Sequence, residues 1–161
     1  MRISTLVLLF VASIANLFAT DVIQLRFSEQ TISAIKDARD CSIVSLTENP
    51  LLPKYDKIHR KMILEPVLRW LDQHCQNGKA ISVTSFAHFT DILLNPDNHQ
   101  KTAFAVGDHA KHAIKFISAG KTGFITIGNI AIVVYWDDRN QAALLNDSGI
   151  NAVQQWLAEN G

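Results

Sequence analysis

The residues best suited to chemistry in this 161-residue chain are concentrated at Asp108-His109-Ala110-Lys111-His112. Neutral imidazoles ligate divalent transition metals, and a metal so held activates water for hydrolysis. The spacing predicts one helix from about residue 96 to 118, on which His109 and His112 are i,i+3 neighbours close enough to share an ion. His88, Asp91 and His99 lie in the segments just before, where any of them can complete a site if two helices pack as a hairpin. The competing reading is that these histidines are solvated on the outer face of that helix, with Asp108 and His112 as an i,i+4 pair. Two facts weigh toward it: the spacing is not HExxH, and no Glu stands beside the pair to serve as a base. No cofactor is implied.

Other chemistry is thinner. Asp137 and Asp138 are adjacent at the end of a candidate strand, but successive strand residues point to opposite faces, which fits a solvated turn better than a cooperating acid–base pair. Gly120-Lys121-Thr122-Gly123 resembles the end of a phosphate loop. Lys115 occupies the place of the opening glycine, however, and the expected order is helix then strand. There is no GxSxG. Cys41 and Cys75 are most economically read as a disulfide, because an exported chain meets an oxidising compartment. Such a bridge, spanning about 35 residues, is worth roughly 3–4 kcal/mol. Among aromatic residues, Tyr135, Trp136 and Phe116 are the candidates for a binding surface, since aromatic side chains dominate interface hot spots.

The element that must position these groups is Gly123–Trp136, a β-branched and aromatic run interrupted by Gly128-Asn129. It reads as a β-hairpin. Asp21–Phe27 alternates as a half-buried strand and is the first candidate to pair with it, and 41–46 and 79–83 are further extended segments. Helices are expected at 29–39 behind Ser28, at 55–76 with a break near Pro66, from 84 or 85 to 94, over 96–118, and after Asp147-Ser148. Asp137 to Asn140 reads as a polar turn. The expected architecture is α+β, a small antiparallel sheet centred on the 123–136 hairpin and packed against about five helices.

Met1-Arg2, the apolar stretch 6–12 and the small residues Ala12, Ser13, Ala15 and Ala19 form the pattern of a secretory signal peptide over residues 1–19. Residues 20–161 then form a single α+β domain, secreted or periplasmic. The whole chain carries 15 Lys+Arg and 15 Asp+Glu; without Arg2 the balance is −1. A near-neutral domain has no electrostatic reason to bind nucleic acid, or a membrane once the leader is cleaved. The leading expectation is therefore a small interaction protein (an inhibitor, an immunity factor or an effector) that docks on another protein. A metal-assisted hydrolase using His109 and His112 is the alternative, and a carrier of a small apolar ligand is the third reading.

Overall fold

The computed structural model describes residues 27–48, 50, 54–58, 61–100, 109–137 and 139–161. The signal peptide and nearly all of the expected 21–27 strand lie outside them. Helix α1 (Glu29–Lys36) starts where Ser28 Oγ accepts from the Thr31 amide, satisfying one of the donors every helix start leaves open. It buries Thr31, Ala34 and Ile35. Strand β1 (Arg39–Ser45) follows. Strands β2 (Lys54–Asp56) and β3 (Lys61–Ile63) then form a hairpin of their own, apart from the main sheet. Helix α2 (Glu65–His74) begins beside Pro66, which fits the first turn because the amide it lacks has no intrahelical partner there. After a 3₁₀ turn, Cys75–Asn77, come β4 (Lys79–Ala80) and α3 (Val83–Leu94), the latter capped by Ser82. A second 3₁₀ turn, Pro96–Asn98, follows α3. The chain then forms a meander of β5 (His112–Ser118), β6 (Lys121–Ile127), β7 (Ala131–Trp136) and β8 (Arg139–Leu144), and ends in α4 (Asp147–Asn160).

The main sheet has six strands, all antiparallel, in the order β4-β1-β5-β6-β7-β8. Apart from a bulge in β1 between Arg39 and Ser42, register runs straight across it. Ile43, Ile114, Ile125, Val134 and Gln141 form one cross-strand row, and Val44, Ala113, Thr126, Val133 and Ala142 form the next. Side chains alternate faces along a strand, so these rows belong to opposite sides. The first side packs on α1, α3 and α4 through Ile35, Phe86, Phe89, Leu93, Val153 and Trp156. The second packs on α2 through Leu64, Val67 and Leu71. Cover on both sides is why β6 is buried without a break from Gly123 to Ile127, where a one-sided sheet would alternate.

Two contacts fix the layers. Trp156 Nε1 donates to Ser85 O at 2.9 Å, which locks α4 to α3, and its ring lies 4.7 Å from that of Phe89. Lys115 Nζ donates to Asp72 Oδ1 at 2.7 Å, which ties α2 to β5.

The fold remains α+β, but the expectation of a small sheet with about five helices is corrected: the sheet has six strands, and the described residues hold four helices. The 96–118 helix is not formed. Its described parts are a 3₁₀ turn and β5, and 101–108 lie outside the described residues. The 55–76 helix is a hairpin followed by α2, because Pro66 favours a helix start over a helix interior. Arg139 and Asn140, expected in a turn, begin β8. The 123–136 hairpin is present, with its turn one residue later than expected: Gly128 N donates to Ala131 O at 2.8 Å, so Asn129-Ile130 make the bend.

The β5–β6 turn is a two-residue turn. Ser118 pairs with Lys121, and both intervening residues, Ala119 and Gly120, have positive φ, the backbone hand that matches strand twist. Further along the hairpin Phe116 faces Gly123. A Cβ at 123 would lie 2.3 Å from Phe116 Cζ. Gly123→Ala therefore has to displace a ring that is fully buried. The expected cost is about 2–3 kcal/mol in urea unfolding, at the upper end of ordinary overpacking; an unchanged midpoint would show that the ring does not lie over the glycine.

Candidate functional site

The histidines do not assemble as a helical pair. His109 is exposed in the segment before β5, and His112 is the first residue of that strand. The i,i+3 geometry that brings two imidazoles to one ion exists only on a helix, so the premise of the metal site fails. His112 lies on the side of the sheet that carries α4 and is half-buried near the C-terminal Gly161. Burial, then the neighbouring Lys111 ammonium, holds its pKa below the usual imidazole value. A depressed pKa favours the neutral ring, so this group stabilises the fold above its ordinary titration range and loses that contribution as pH falls below it.

His88 and Asp91 are exposed on α3. His99 is buried, with Nε2 2.7 Å from Leu93 O, and so fastens the chain leaving α3 to the end of that helix. Among the described residues no three His, Cys, Asp or Glu side chains converge as metal ligands would. Asp138 lies outside the described residues. Asp137 is held by the Lys121 ammonium, whose hydrogen bond and charge push its carboxyl below the usual range.

The three aromatic candidates are internal. Phe116 is fully buried and stacks on Trp136 with ring centres 5.6 Å apart. Tyr135, on the other side of the sheet, is buried among Leu64, Val67, Leu71 and Phe124. Burial there raises its phenol pKa against the opposing pull of a hydrogen bond with Thr126. Trp136 retains a margin toward solvent at 9 % exposure and Tyr135 one of 6 %. Tyr135 and Phe116 are therefore core residues and cannot anchor a partner without the sheet coming apart. Tyr135 and Trp136 alternate across the sheet as expected, but both sides of it are covered.

The expected Cys41–Cys75 disulfide is also corrected. Both cysteines are free and buried, and the register explains why. Cys41 packs with the three-helix side, among Ile35, Ala38 and Ile43, while Cys75 packs with the α2 side, beside Val67, Leu71 and Ala113. A disulfide needs Cβ atoms within about 4.5 Å, and here the backbone of the sheet stands between them. Burial pushes the Cys41 thiol up to about 12 and that of Cys75 to about 11, so neither supplies a thiolate nucleophile.

What the sequence reading missed is the β2–β3 hairpin. Among the described residues the exposed large apolar side chains are Ile58, Met62, Ile63 and Val83, and three of these four stand in or beside the two short strands. Ile58, in the connecting turn, is 87 % exposed. Pro50, Pro53 and Pro66 bracket this segment, whose apolar residues Ile58 and Met62 also fit a helical spacing.

The thiol assignment is directly checkable. Intact mass of purified protein, without reductant, should equal that of the dithiol form. Iodoacetamide should label neither cysteine in the native state and both after denaturation. A mass deficit of two hydrogens would restore the disulfide. No family model, curated protein or solved structure matches this chain.

Proposed function

We propose that this chain is an exported protein-binding protein that acts by docking on a partner protein, and that the β2–β3 hairpin is the docking element. The observation that carries the reading is the concentration of exposed apolar side chains there, with Ile58 at 87 %. Leaving a β-branched side chain in water forgoes roughly 1.5–3 kcal/mol of burial. Scattered surface apolar residues are ordinary, but a cluster on one projecting element is a feature of interaction sites.

The charges around it support a partner of a particular kind. Lys54, Lys57, Arg60 and Lys61 share this short segment with one acidic residue, Asp56, in a chain whose charges sum to zero overall. The exposed Lys54 and Lys57 beside an apolar tip suit an acidic protein face with an apolar recess, the charges steering encounter and the isoleucine supplying buried area. The hairpin is also structurally separate: β2 and β3 pair only with each other. It can therefore change its surroundings on binding without disturbing the main sheet.

Site-directed photocrosslinking in the producing organism tests this. A photoreactive residue at position 58 should give a discrete protein adduct, reduced when Lys54 and Lys57 are replaced by Glu. The same residue at Val83, an exposed position on α3, should not give it. Adducts of equal yield from both positions, or none from position 58, would end the docking reading.

A further inference from the structure

A second feature lies on different elements and does not depend on the hairpin. The main sheet ends in β4 on one side and in β8 on the other. Strand β4 is two residues long and carries Lys79, whose Nζ donates to Gly161 O at 3.5 Å. Short length and a lysine are two of the devices that keep an edge strand from pairing further. Strand β8 is six residues long and pairs, within the sheet, with β7 alone. It holds no proline and no lysine, its register with β7 is unbroken, and its one charge is Arg139 at its first residue. Such an edge is a template for another strand.

The hydrogen bonds at the end of β8 fix which backbone groups this edge presents. Leu145 N donates inward to Ile130 O at 2.8 Å, whereas Leu144 O accepts from Gln100 N at 3.0 Å on the outer side. Inward and outward positions alternate along an antiparallel pair, so Arg139, Gln141 and Ala143 bond to β7 while Asn140, Ala142 and Leu144 face out. The place at Leu144 is taken by the His99–Gln100 segment. The outward amides and carbonyls of Asn140 and Ala142 have no hydrogen-bond partner among the described residues, and both residues are exposed. These two residues are matched to themselves. When Asn140 of one copy lies opposite Ala142 of another, each copy donates two amides and accepts on two carbonyls, so four bonds form and Gln141 faces its own counterpart on a twofold axis. Sliding the pairing either way engages the occupied Leu144 or runs past the start of the strand, and halves that number.

We propose that the β8 edge joins two copies of this chain, antiparallel, about a twofold axis at Gln141. A second copy carries the same open groups at the same spacing, which is what an isologous contact requires. The two sheets then run on as one. Gln141 lies on the three-helix side of the sheet, where its Oε1 accepts from Ser28 N at 2.9 Å, which leaves its amide donors for the opposing glutamine. Directly opposed side chains of such a pair stand about 5 Å apart at Cβ. The small Ala142 lets the two backbones close to hydrogen-bonding distance. The contact is short, so the dimer is reversible.

Sedimentation velocity of the purified chain tests this. Monomer and dimer should interconvert as concentration rises to about 1 mM. Ala142→Pro removes an outward amide and leaves the ladder to β7 intact, since an edge strand tolerates proline where its amide would face solvent; it should weaken the dimer at least about tenfold, two bonds being lost across the axis. Gln141→Glu keeps the acceptor for Ser28 N but sets two carboxylates face to face, and should weaken the dimer about fivefold or more. Mixing it with Gln141→Lys should restore pairing as a heterodimer, which a merely unfolded variant could not do. Gln141→Cys should oxidise to a disulfide-linked dimer, and Gln73→Cys, exposed on α2, should not. Thermal unfolding of each variant as monomer checks that the fold is retained. A chain that stays monomeric at every concentration overturns the proposal and leaves the edge to a strand of another protein. A dimer that neither Ala142→Pro nor Gln141→Glu weakens overturns it as well.

Discussion

The ring of Phe116 lying over Gly123 is the constraint on which the rest of the structure depends. The two residues are register partners on β5 and β6, and the glycine leaves open the space that the ring fills. Sliding β6 by one residue would bring Thr122 or Phe124 opposite Phe116 and turn every side chain of the strand to the other side. With the register set, Ile125 meets Ile114 and Val134, Trp136 stacks on Phe116, and Phe86 closes on the same ring at 6.3 Å. The three-helix side of the sheet is built outward from that cluster. The α2 side follows from the same register, because fixing one face of a pleated strand fixes the other.

Cover on both sides of the sheet decides most of the functional conclusions. It places Tyr135 and Phe116 in the interior, separates Cys41 from Cys75, and leaves His112 at a strand end rather than on a helix beside His109. What stays accessible is at the margins: a projecting hairpin with an apolar tip beside Lys54 and Lys57, and the open edge of β8. The two stand on different elements.

Much of the frame was legible in the sequence, for identifiable reasons. The run 123–136 is β-branched and aromatic with a break in its middle, and it forms β6 and β7. Ser28 caps the helix expected behind it; the helix expected to start at 84 or 85 is instead capped by Ser82, and Asn95 caps only a 3₁₀ turn. The misreadings share a cause. Ile114 and Ile117 are three apart, which counts as helical spacing, yet Ile114, Phe116 and Ser118 are two apart and form one side of β5. A segment whose apolar residues face both ways satisfies either period, and only the neighbouring strands decide between them. Strand β8 has weak intrinsic preference in Arg139-Asn140-Gln141-Ala142, and its pairing with β7 supplies what the residues lack. The disulfide inference took two cysteines and an export signal as sufficient, but which side of a sheet each residue faces is set by register, and composition does not carry register. The open edge was not foreseen because residues 137–140 read as a turn, which hid the strand that carries it.

Local stability mapped by amide hydrogen exchange tests the central claim most directly, namely that a two-sided sheet forms a rigid body and the β2–β3 hairpin stands apart from it. In native buffer, amides of Ile114, Ile125 and Val134 should exchange only through global unfolding, with opening free energies equal to the total stability. Those of Lys54–Ile63 should exchange through local opening at far lower cost. Equal protection in the hairpin and the sheet centre, or fast exchange within β6, would contradict the account.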